Sequence, residues 1–145
     1  MRISAVIVSR MGSSRLPGKA LREVMGKPLL QHLIERVKQS KAIEDVVIAT
    51  TINKEDKVIL ELAKRCSINS FAGSENDVLD RVTSAARSVN ADVIVQINGD
   101  RPLIDPSVID YVVERYLDEK PDFACNNLKP TFPRGQVVEV FKLDL

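Results

Sequence analysis

The feature that most constrains this chain is an alternation. Short aliphatic runs, Ile3 to Val8, Val46 to Thr51 and Val93 to Ile97, are separated by longer stretches whose apolar residues recur with helical spacing. A near-continuous aliphatic run of six residues is what a strand buried on both faces of a parallel sheet requires. Between the runs, Leu29, Leu30, Leu33, Ile34 and Val37 share one helix face after Lys27-Pro28, with proline suited to the first turn. Val58, Ile59 and Leu62 form a second stripe, with Asn53 as its expected N-cap and Asp56 three residues on. Val78, Leu79, Val82, Ala85, Ala86 and Val89 form a third inward face, opened by Ser74 and Asp77. Val108, Ile109, Val112, Val113, Tyr116 and Leu117 form a fourth, opened by Asp105-Pro106 and closed by Pro121. Further strands are expected at Ser70 to Ala72, Phe123 to Asn126 and Gln136 to Phe141, the last two joined by a Pro-rich turn. Right-handed crossovers between strands of this kind predict an α/β fold, a doubly wound, mostly parallel Rossmann-like sheet in a single domain over 1–145.

Composition agrees with one soluble domain: 145 residues, 44% hydrophobic and 28% charged. No apolar stretch approaches the ~20 residues of a membrane helix. The N-terminus has neither the length nor the cleavage pattern of a leader, and Cys66 and Cys125 show no metal-binding spacing, so the chain reads as cytoplasmic. Charge is polarised. Arg2, Arg10, Arg15, Lys19 and Arg22 all precede the first acid, Glu23, which leaves the rest of the chain net negative. Aromatic residues make up only 4%. Neither a nucleic-acid surface nor a base-stacking platform is expected; a small anion is.

In a doubly wound sheet, ligands bind beyond the carboxyl ends of the strands where the winding reverses. The loop after the first strand, Ser9 to Lys19, carries two glycines, three serines and three cations with no acid. Glycines let backbone N–H groups approach an anion, and arginine and lysine add charge-assisted bonds, a composition that suits a polyphosphate. It is not a Walker A loop: Gly12 to Gly18 is one residue too long, Pro17 interrupts the curl, and Ala20 stands where a metal-binding hydroxyl is needed. Nor is there a G-x-G-x-x-G dinucleotide fingerprint, and the second strand ends in Thr50-Thr51 rather than an acid. Asp100, directly after the strand at 93–97, is a candidate Mg²⁺ ligand, although Asn98-Gly99-Asp100 also suits an ordinary turn. His32 reads as structural, Asp105 as a helix cap, and Arg134 as either a ligand for an acidic group or a solvated loop cation.

Four motifs together resemble the nucleotide-sugar cytidylyltransferases, the group of acylneuraminate and 3-deoxy-manno-octulosonate cytidylyltransferases and related spore-coat polysaccharide proteins. They are Arg10-x-Gly-Ser-x-Arg15-Leu-Pro-Gly-Lys19, Gly73-Ser-Glu-Asn-Asp-Val-Leu-Asp-Arg81, Gly99-Asp-x-Pro-Leu-Ile-Asp-Pro106 and Thr131-Phe-Pro-Arg-Gly135. The resemblance implies transfer of CMP from CTP to an acidic or modified sugar, with release of pyrophosphate and use of Mg²⁺. Arg10, Gly12, Ser13, Arg15 and Lys19 would hold the triphosphate, Asp100 the metal, and Lys19, Arg15 and Asp100 would carry the catalysis. Asn98 would face the substrate, and Ser74 would lie near the cytosine. The resemblance also implies a homodimer. Family members extend past position 145 with a segment that contributes to dimerisation and supplies a second metal-binding acid, so the expected sheet is shortened at its C-terminal end. The partner expected besides CTP and an acidic sugar is a second copy of the chain. Two further readings share the motifs: a nucleotide-binding relative without turnover, and a nucleotidyltransferase for another base. Arg101 and Gln96 depart from the residues common in relatives, which leaves the sugar unspecified.

Overall fold

The computed structural model describes residues 1–144. In chain order the elements are β1 (Ile3–Val8), a small hairpin of β2 (Glu23–Val24) and β3 (Lys27–Pro28), α1 (Leu29–Val37), β4 (Asp45–Thr51), α2 (Lys57–Arg65), β5 (Asn69–Gly73), α3 (Val78–Ser88), β6 (Val93–Asn98), α4 (Pro106–Glu119), β7 (Phe123–Cys125) and β8 (Glu139–Lys142). The six main strands form one sheet in the order β5-β4-β1-β6-β8-β7. β1 pairs in parallel with both β4 and β6, and β4 with β5. The expected doubly wound α/β fold is therefore present. The chain winds outward from β1 through β4 to β5, then returns to β6 on the other side of β1, which puts the winding reversal between β1 and β6.

Alternation along β1 builds both layers. Ile3, Ala5 and Ile7 pack with α1, α2 and α4, while Val6 packs with Val82, Ala85 and Ala86 of α3. Leu33, Ile34, Ile59 and Ile109 are fully buried on the first face, each such side chain stabilising the fold by about 1.5–3 kcal/mol. No helix among the described residues is long and apolar enough to cross a membrane.

The antiparallel part of this mostly parallel sheet is β8, which runs antiparallel to both β6 and β7. A parallel return needs a crossover helix, and the 126–138 connection, with Pro130, Pro133 and Gly135, has none. The β2–β3 hairpin was not anticipated. Its strands are two residues each, too short for an alternation signal, and it turns at Met25 and Gly26, both with positive φ (52° and 78°). His32 Nε2–H donates to the Val24 carbonyl at 2.7 Å, so the one histidine ties α1 to this hairpin. Pro28 closes the hairpin just ahead of α1 rather than lying in its first turn. Val78 and Leu79 are exposed, not inward. Asn53 precedes a short 3₁₀ turn, Lys54–Asp56, and its side chain makes no cap bond. Asp105 does cap α4, accepting from the Ser107 amide at 2.9 Å.

Candidate active site

Because β1, β4, β5 and β6 are parallel, the loops that follow them meet on one rim. The loop after β1 is shaped by two anchors. Asp56, 1% exposed, accepts from the Met11 amide at 2.6 Å and from the Thr51 hydroxyl. The Met11 carbonyl then accepts from Ser13 N at 2.9 Å and Gly18 N at 3.1 Å, which curls residues 11–18 into a closed loop. Gly18 sits at φ +69°, a conformation that disfavours any side chain. The curl brings Lys19 back to the rim, at the start of a 3₁₀ turn whose Ala20 is buried in the core.

The loop after β6 approaches at the winding reversal. Gly99 N donates to the Val8 carbonyl at 2.8 Å, and a Cβ on Gly99 would lie 2.8 Å from Ser9 Cβ and 2.9 Å from the Val8 carbonyl oxygen. Only glycine lets the two loops come this close. Their approach puts Lys19 Nζ 3.4 Å from Asp100 Oδ2 across the cleft. Asp100 is nearly half exposed, and no other protein donor is seen on its carboxylate among the described residues.

The resulting cleft, of about 550 Å³, is lined by Arg10, Gly12, Ser13, Arg15, Lys19, Asn98 and Asp100 together. Those are seven of the eight candidate site residues. Ser74 is the exception: its hydroxyl accepts from Asp77 N at 3.0 Å and its carbonyl from the Arg81 guanidinium, so it shapes the β5–α3 loop from behind. That wall is formed by Glu75, Asn76, Val78 and Arg81. The exposed Val78 thus faces the cleft rather than the core.

Three side chains that hold the loops of this cleft together had no site role in the sequence reading. Glu75 bridges two loops: Oε1 accepts from Arg10 Nη1 at 2.8 Å and Oε2 from Asn53 Nδ2 at 2.8 Å. The Asn53 bond, and next the Arg10 charge, outweigh partial desolvation and hold the Glu75 carboxyl below its ordinary range. Arg81, 2% exposed, donates to the Ser74 and Glu75 carbonyls. Burial, and then the neighbouring Arg10 charge, pull its pKa down from the usual guanidinium value. A charged residue on the inward face of α3 was the available signal. Asp56 carried none, because its position suited an ordinary helix start.

Residues 4–143 match the family described as cytidylyltransferase. The chain belongs to the cytidylyltransferase family. Among its relatives, the spore coat polysaccharide biosynthesis protein SpsF of Bacillus subtilis is 35% identical over 137 residues, covering 92% of this chain and 57% of that protein. A 3-deoxy-manno-octulosonate cytidylyltransferase of Trichlorobacter lovleyi is 36% identical over 129 residues, 89% of this chain and 50% of the enzyme. A solved cytidylyltransferase from Leptospira borgpetersenii superposes with a TM-score of 0.94 at 38% identity, covering 99% of this chain and 61% of that one. The chain spans 50–61% of the length of these family members.

Proposed function

We propose that this chain forms the nucleotide-binding part of a cytidylyltransferase that moves CMP from CTP to a hydroxyl of an acidic or modified sugar for surface polysaccharide, releasing pyrophosphate. The observation that carries it is the convergence of Arg15 and Lys19 with Asp100, 81 residues from Lys19, across one glycine-lined cleft. In this reaction a sugar hydroxyl gives up its proton to solvent and its oxygen bonds to the α-phosphorus, as the bond from that phosphorus to the oxygen shared with the β-phosphate breaks and that oxygen leaves with the pyrophosphate. Catalysis is mainly alignment and charge neutralisation. Arg15, Lys19 and Arg10 supply the positive charge for the phosphate oxygens, and Asn98, exposed at the end of β6, faces the acceptor side. The names of the 3-deoxy-manno-octulosonate and spore-coat relatives support the sugar and polysaccharide assignments.

The Asp100 carboxylate fits Mg²⁺. It is a hard oxygen donor, and it is solvent-accessible, with only a long contact to Lys19 to displace. Mg²⁺ takes one or two carboxylates with substrate phosphates, and among the described residues no group of three or more acidic, histidine or cysteine side chains forms a closed cage. Asp100 would hold the ion together with phosphate oxygens, and the bound ion would neutralise charge on the departing pyrophosphate. We further assign the protein to the cytoplasm, in keeping with its free Cys66 and Cys125, and, on the family resemblance alone, to a homodimer.

The test is pyrophosphate release with each of the four nucleoside triphosphates, with and without an acidic sugar and Mg²⁺. CTP, sugar and metal together should be required. A CTP-dependent thermal shift, about 2.7 kcal/mol at 100 times the dissociation constant, without pyrophosphate release would leave a binding module. Equal release from another triphosphate would overturn the base assignment.

A further inference from the structure

Asp100 belongs to a loop, residues 99–105, secured at one end by Gly99 against β1 and near the other by the fully buried Ile104. Between them Asp100 and Leu103 are exposed, Leu103 at 71%, while Arg101 and Pro102 are half-buried, so packing holds this stretch only in part. Hydrogen bonds complete the hold. Gln136 Oε1 accepts from Asp105 N at 2.7 Å and its Nε2 donates to the Leu103 carbonyl at 2.9 Å, so one amide clasps the backbone on both sides of Ile104. The next residue, Val137, accepts from the guanidinium of Arg101, the neighbour of Asp100. The same short segment is tied on its far side by Asn126, whose Nδ2 donates to the Gln136 carbonyl at 2.7 Å and whose Oδ1 accepts from Val138 N at 2.9 Å. Residues 136–138 therefore form a strap between the end of β7 and the loop bearing the carboxylate.

We propose that Gln136 is a positioning residue for the Asp100 carboxylate, and that the strap sets how tightly a divalent cation is held there. The inference rests on the reading of Asp100 as the metal-binding carboxylate. Gln136 is neutral, so its influence comes from geometry and not from charge. On the opposite wall, among the described residues, Lys19 alone touches Asp100, through one long contact that cannot restrain the loop backbone. Groups hydrogen-bonded directly to a metal ligand change metal affinity by about 10–100-fold when removed; Gln136 acts one step further out, through the loop backbone, so the lower end of that range is expected.

The experiment uses the full chain with Mn²⁺ as probe and a CTP analogue carrying a methylene bridge between the α- and β-phosphorus. Bound Mn²⁺ is read by electron paramagnetic resonance after correction for the ion held by free analogue. Gln136→Ala should weaken Mn²⁺ binding about tenfold and leave affinity for the analogue in EDTA within about twofold. Asn126→Ala should act in the same direction and less strongly; it also decides the matter if Gln136→Ala fails to give a cooperative melt. A lowered Tm with wild-type Mn²⁺ affinity in both variants, while Asp100→Asn loses the ion, would overturn the inference and leave the active-site reading standing. Retention of Mn²⁺ by Asp100→Asn would remove the reading and the inference together.

Discussion

Two cation–carboxylate pairs face each other across the cleft, and they are built differently. On the β4–β5 side, Glu75 has both oxygens engaged, by Arg10 and Asn53, and its backbone is gripped by the buried Arg81. On the β6 side, Asp100 meets Lys19 alone among the described residues, at 3.4 Å. The first is closed: it joins the loops after β1, β4 and β5 into one wall. The second is open, with acceptor capacity to spare. Equal and opposite charge says nothing about role; what differs is how many donors already occupy each carboxylate.

The comparison makes graded predictions. Substituting the open pair has the largest effect. Asp100→Asn and Lys19→Ala should each lower pyrophosphate release by at least about 100-fold, with circular dichroism unchanged. Wild-type rates in either variant would break the assignment. Gly99→Ala comes next, because its Cβ would press on Ser9 and the Val8 carbonyl and force the two loops apart. A cost of about 1–3 kcal/mol, a Tm several degrees lower and roughly tenfold slower turnover are expected; an unaltered Tm would show that the close approach is not required.

The closed pair should matter least. Glu75→Gln removes a negative charge from an anion's entrance and also loosens Arg10, two opposing effects at an exposed pair, so CTP affinity should change less than about fivefold in either direction. A larger shift would mean that Glu75 contacts the nucleotide. Its pH signature is also defined. The folded carboxyl titrates lower than an ordinary glutamate, so its stabilising contribution is complete above the unfolded value and is lost as pH falls through the folded one. Thermal melts across that acidic window should show a loss in the native protein that is smaller in the Glu75→Gln variant, which has no carboxyl to titrate at this position.

Much of the molecule could be read from local pattern. The runs at Ile3–Val8 and Val93–Ile97 announced buried strands, and the glycines and cations of Ser9–Lys19 announced a tight, basic loop after the first strand, since both signals lie within a dozen neighbouring residues. The Asp105 cap was legible for the same reason. Asn53 and Asp56 show the limit. Their spacing suited a helix start, but Thr51 and Met11 bind Asp56 more directly, and Glu75 draws the Asn53 amide away.

What the amino-acid order settled by itself was periodicity and the chemistry of each loop, because hydrophobic spacing, glycine conformation and charge act over a few residues. Only the folded chain decided which loops meet. Glu75 reaches Arg10 across 65 residues, Lys19 reaches Asp100 across 81, and Gln136 clasps a loop about thirty positions earlier. The reversed β8 was likewise set by a helix-free connection returning to the sheet edge. Such pairings depend on strand order and crossover handedness, long-range properties that a linear pattern does not encode residue by residue.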